Sequence, residues 1–113
     1  MAGRLSFQEL LAQVKKMPSK ELRFDEPESV EIVFGSAQYE DLESVLEPYF
    51  GPAAKPRGVN PAREITDLTE AFGGVRDDQT LYYLENDGAC YFGMIWPWGD
   101  RASMTLRLFK TSQ

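Results

Sequence analysis

The strongest constraint on this chain is a hairpin written into its last third. Residues 81–85 form an aliphatic and aromatic run and residues 89–96 form a second, with Asn86-Asp87-Gly88 between them. Asp-Gly supplies the positive φ angles that a tight two-residue turn needs, so the two runs are expected to pair antiparallel. Pro97-Trp98-Gly99-Asp100-Arg101 reverses the chain again. Met104, Leu106 and Leu108 then alternate with Thr105 and Arg107, which predicts a third strand with one apolar face. The C-terminal third is therefore read as a three-stranded meander, and apolar helices upstream must cover one of its faces.

Three segments upstream have helical spacing. Phe7, Leu10, Leu11, Val14 and Met17 form one stripe, with Pro18 as the stop, which predicts a helix over 7–17. Ser6 and Glu9 stand at the spacing of a capping box, and Leu5 and Leu10 at that of a hydrophobic staple. A second helix opens at Gly35-Ser36 and buries Tyr39, Leu42, Val45, Leu46, Tyr49 and Phe50. Pro48 is expected to end its regular part, because proline cannot donate to the helical ladder. A third helix follows the Gly/Pro-rich loop 51–61, with Asn60 as cap, Pro61 as first residue, Ile65, Leu68 and Phe72 as stripe, and Gly73-Gly74 as terminator. Between the first two helices, Val30, Ile32 and Phe34 alternate as a strand, with Val33 an apolar exception. Leu22 and Phe24 alternate as well, and the run 21–25 reads either as a hairpin partner of that strand or as a loop.

The element order is α-β-α-α-β-β-β. It predicts an α+β fold, a two-layer sandwich with a mostly antiparallel sheet of four to five strands and helices on one face. A length of 113 residues predicts one domain spanning 1–113.

Composition narrows the chemistry. The chain has no histidine and one cysteine, Cys90. A Ser-His-Asp or Cys-His arrangement cannot be built within it, nor a structural zinc site, and no Gly-rich nucleotide fingerprint is present. No cofactor, no metal and no catalytic residue is expected, and a non-enzyme is favoured. Twelve basic against eighteen acidic residues give a net charge of −6, which speaks against nucleic acid as partner. No internal disulfide is available, no signal peptide or transmembrane segment is read, and the cytoplasm is the default location. Cys90 reads as a packing residue within a strand.

Two surfaces are candidates. Lys55, Arg57 and Arg63 flank the 51–61 loop and Arg76 follows Gly73-Gly74, which suggests an anion-binding site at the start of the third helix. The structural alternative is that the prolines stiffen a connection and the cations offset Glu64, Asp67 and Glu70. The second surface is aromatic. If Cys90, Phe92, Met94 and Trp96 face the helices, then Tyr91, Gly93 and Ile95 lie on the open face of the sheet, joined by Tyr83 and by Trp98 of the turn, with Gly93 as a depression. The acidic stretch 21–47 reads as a solvated face, or as a docking surface for a basic partner. The favoured function is a non-catalytic protein-interaction or self-association domain. The alternative is an anionic-ligand binding protein, or an enzyme working with carboxylates and tyrosines, that uses the Lys55/Arg57/Arg63 loop.

Overall fold

A computed structural model describes residues 6–112 of the chain. The elements run α1 (Phe7–Lys16), β1 (Glu21–Glu26), β2 (Ser29–Gly35), α2 (Tyr39–Phe50), α3 (Arg63–Thr69), β3 (Thr80–Asn86), β4 (Ala89–Pro97) and β5 (Ser103–Ser112). The five strands form one antiparallel sheet in the order β1-β2-β5-β4-β3. The fold is α+β, and the C-terminal meander is present as the sequence predicts. Asp87 (φ 51°) and Gly88 (φ 76°) both take the left-handed conformation, which is what a two-residue turn between right-twisted strands requires.

The run 21–25 resolves as a strand. β1 pairs with β2 across a bulge between Leu22 and Phe24, and Pro27-Glu28 closes the hairpin. As an edge strand it buries nothing: all six of its residues are exposed, and four of them carry charge. Charge and a bulge are the usual protections of an unpaired edge.

α1 and α2 cover one face of the sheet. Leu10 and Val14 of α1 and Leu42 and Leu46 of α2 are fully buried against Val30, Ile32 and Phe34 of β2 and Leu106 and Leu108 of β5. Burying each such side chain contributes roughly 1.5–3 kcal/mol. The capping box starts α1: Glu9 N–H donates to Ser6 Oγ at 3.0 Å, and Ser6 N–H donates to Glu9 Oε1 at 2.9 Å. Leu5, the expected staple partner of Leu10, lies outside the described residues.

Two helix ends differ from the sequence expectation. α2 runs through Pro48 to Phe50, and Gly51 N–H closes it on the Glu47 carbonyl at 2.7 Å. The last turn buries both Tyr49 and Phe50, and this apolar burial offsets the bond that Pro48 cannot make. α3 begins at Arg63, not Pro61, because Ala62 is extended (ψ 163°) and serves as the cap; Asn60 makes no capping bond. Ile65 and Leu68 of α3 pack into a second, smaller cluster with Val75, Leu81, Phe92, Met94 and Phe109. The side chain of Phe72 lies outside the described residues. Among the described residues no helix is long and apolar enough to cross a membrane.

Candidate functional site

Register decides which side chains share a face, because directly paired residues of neighbouring strands point the same way. Ile95 pairs with Leu106, and Gly93 with Leu108 and Tyr82, so Tyr91, Gly93 and Ile95 lie beneath α1 and α2. This reverses the sequence expectation for that strand. Tyr91 packs on Phe7 with ring centroids 5.0 Å apart, Ile95 is in the main core, and the depression at Gly93 is filled by Phe50. Alternation separated the two sets on β4 correctly but held no information on which set the helices would cover, since both are apolar.

The face opposite α1 and α2, here the second face, carries the other set. One register row crosses the whole sheet: Phe24 of β1, Glu31 of β2, Arg107 of β5, Met94 of β4 and Leu81 of β3. A neighbouring row holds Val33, Thr105 and Trp96, and the row on the other side holds Phe109, Phe92 and Tyr83. Val33, the apolar exception of its strand, is thereby explained: it is buried on the second face beside Thr105. Of the proposed aromatic group, Tyr83 and Trp98 belong to this face, and Tyr91, Gly93 and Ile95 do not.

Trp98 is fixed where it stands. Its indole Nε1 donates to Thr105 Oγ1 at 2.8 Å, and the Arg23 guanidinium sits 5.1 Å from its ring centre. The turn that carries it is braced by Asp100, whose Oδ1 accepts from the backbone N–H of Ala102 (2.9 Å) and Ser103 (3.1 Å). Those bonds, Ala102 N–H first, hold the Asp100 carboxyl below its usual range. Lys20 Nζ closes the same turn by donating to Ala102 O and Ser103 Oγ. On the row of Phe92, the Tyr83 hydroxyl lies 3.3 Å from Cys90 Sγ, and that contact together with burial pushes the phenol up to about 12. Cys90 is buried.

A groove of 420 Å³ opens at the end of the second face. It is lined by Gly73, Gly74, Arg76, Gln79, Met94, Trp96 and Arg107. Gly73 and Gly74 both have positive φ, and a side chain at either would meet nothing within 4 Å, so the rim is bare backbone there. Arg76 and Gln79 hang from a turn in which Gln79 N–H donates to Arg76 O and Arg76 N–H donates to Gln79 Oε1. Arg107 lies over the Phe109 ring, 4.6 Å from its centre. Its register partner Glu31 is not within ion-pair distance, and neither Arg107 nor Arg76 pairs with a carboxylate among the described residues.

The four cations suggested as one anion site go to separate places. Lys55 is 2% exposed and donates from Nζ to the carbonyls of Asp77 (2.7 Å) and Gln79 (2.5 Å), while its backbone pairs with Leu81. Burial pulls its ammonium below the ordinary lysine range, against the pull of Asp77 and Asp78. It is a brace for the 76–79 turn. Arg57 lies 3.9 Å over the Tyr39 ring in a hollow that also contains Glu40 and Glu43. Arg63 is 92% exposed beside Asp67. Only Arg76 lines the groove.

Sequence reasoning missed Met94, Trp96, Gln79 and Arg107 as neighbours of Arg76. The alternation in β5 did mark Arg107 as facing away from Leu106 and Leu108. Placing it beside Met94 requires the β4–β5 register, which spacing does not supply. Among the described residues no cluster of three or more acidic or cysteine side chains is arranged to hold a metal ion.

Comparison with known proteins leaves the site to be read on its own geometry. No family model matches the chain, and neither a curated protein nor a solved structure is significantly similar to it.

Proposed function

We propose that this chain is a non-catalytic protein-interaction domain of the cytoplasm, and that its docking face is the second face of the sheet, from Phe24 across Arg107 to the groove at Trp96. The observation that carries this reading is the register row Phe24–Glu31–Arg107–Met94. It presents an apolar ring that is 43% exposed, then charge, then the mouth of a groove. Aromatic and arginine side chains on a rigid sheet are the residue types that dominate protein interfaces. Two arginines without a carboxylate partner among the described residues, in a chain of net charge −6, favour a partner that brings acidic groups to this face.

The test is site-specific photo-crosslinking in cells, with p-benzoylphenylalanine replacing Phe24 or, as control, Gln13 on the exposed side of α1. A discrete adduct at position 24, missing at position 13 and lost when Arg107→Glu is added, is the expected result. Equal labelling at the two positions, or an adduct indifferent to Arg107→Glu, overturns the reading. An adduct between two copies of this chain assigns the face to self-association.

A further inference from the structure

The groove has the chemistry of an oxyanion site. Its lining includes two arginines on different supports, Arg76 on the turn braced by Lys55 and Arg107 on the central strand β5. Arginine offers planar, forked donors that match a carboxylate, and it keeps its charge at any physiological pH. Both supports are rigid: β5 is hydrogen-bonded on both sides, and the turn is held by the buried Lys55 ammonium and by Gly58 N–H on Asp77 O at 2.7 Å. Held supports of this kind confine the freedom lost on binding to the arginine side chains themselves. Met94 and Trp96 also line it, apolar and aromatic surface suited to the methylenes of an acidic side chain. The rim at Gly73-Gly74 leaves room for a polypeptide backbone to approach closely.

We infer that the Arg76–Arg107 groove binds a carboxylate, and that the carboxylate is a glutamate or aspartate side chain of a polypeptide seated on the second face. The polypeptide source rests on the docking reading above; the carboxylate site itself does not.

Trp96 reports occupancy by its own fluorescence once Trp98 is replaced, so the test uses the full chain carrying Trp98→Phe. The probes are sodium glutarate, the peptide Ac-Ala-Glu-Phe-Glu-Ala-NH2 and its glutamine counterpart, all at constant ionic strength. The expected result is a saturable change with glutarate and with the glutamate peptide. The peptide should bind at least about tenfold more tightly than glutarate, the glutamine peptide not at all, and Arg76→Gln or Arg107→Gln should each weaken binding by about tenfold or more. Circular dichroism checks that both variants keep the fold, and Arg107→Lys, which retains the charge but not the fork, is expected to fall between wild type and Arg107→Gln. No saturable response to either carboxylate probe, or a response that both glutamine variants leave unchanged, overturns the site. Glutarate binding with no gain for the peptide keeps the carboxylate site and overturns the polypeptide source. Crosslinking at Phe24 that survives Arg76→Gln together with Arg107→Gln keeps the docking face and overturns the docked polypeptide as the source of the carboxylate.

Discussion

The ring of Phe50 occupies the space that a side chain at position 93 would need. A Cβ built on Gly93 would stand 3.1 Å from Phe50 Cε2 and 3.1 Å from Leu108 Cδ2. The glycine in the middle of β4 is therefore a packing requirement of α2, whose last turn carries Phe50 past Pro48 onto the sheet.

Gly93→Ala is accordingly expected to destabilise the fold by about 1–3 kcal/mol, the usual cost of overpacking a filled core. Phe50→Leu in the same chain should recover part of the loss, since it removes the ring atoms the new methyl meets and leaves only the contact with Leu108 Cδ2. Urea unfolding of the two single variants and the double variant measures this coupling; additive effects would show that Phe50 is not the obstacle.

Tyr82 is fully buried beside Phe50, and its hydroxyl makes no hydrogen bond. Burial, with Glu43 and Glu47 nearby, raises its pKa above the ordinary value of 10. Removing an unsatisfied buried hydroxyl while keeping the ring is favourable, so Tyr82→Phe should stabilise the protein by about 1 kcal/mol. The unfolded chain ionises at this residue near pH 10 while the folded chain stays neutral. Stability therefore falls as pH rises above about 10, and the fall should be shallower in Tyr82→Phe. Thermal melts at neutral pH and at alkaline pH test both statements.

Lys55 holds the turn that carries Arg76 and Gln79. Lys55→Met removes the ammonium donor from both carbonyls, leaving Asp77 O with Gly58 N–H, and should cost about 2 kcal/mol. The local signature is faster hydrogen exchange at Gly58, whose N–H shares the Asp77 carbonyl with the ammonium. The folded-state pKa of Lys55 is lowered, so the unfolded chain binds more protons below pH 10.5 and down to the folded value. Its contribution to stability thus rises with pH over that window, and Lys55→Met should abolish the rise.

Asp100 braces the Trp98 turn as an ionised acceptor. Its folded pKa is lowered, so its contribution is fully present above the unfolded value near 3.9 and is lost as pH falls through the folded value. Asp100→Ala should lower the melting temperature at neutral pH and flatten the acid limb below about pH 4. Near-ultraviolet circular dichroism should lose part of its tryptophan signal, because Trp98 is carried by the same turn.

Much of the architecture was legible in local spacing. The capping box of Ser6 and Glu9, the stripe of α1 and the Asp87-Gly88 turn each depend on residues within one turn of helix or one hairpin, where spacing and conformation are tightly linked. The ends of α2 and α3 were less legible. Pro48 ends a helix by its own chemistry, yet the core contacts of Tyr49 and Phe50 outweigh that preference, and such contacts lie far away in sequence.

The candidate site was scarcely legible, for the same reason. The sequence by itself determined that Tyr91, Gly93 and Ile95 part from Phe92, Met94 and Trp96, because strand alternation is a property of the backbone. It also determined that histidine-based catalysis and a histidine or multi-cysteine zinc site are excluded within one chain. Tertiary structure alone decided that the first set is roofed by α1 and α2, that Lys55 is a buried brace apart from Arg57 and Arg63, and that Arg107 and Arg76 line one groove with Trp96 and Met94. Each of those depends on strand register and on which face the helices choose. Both are settled by the total burial of the assembled chain, a quantity that no local run of residues contains.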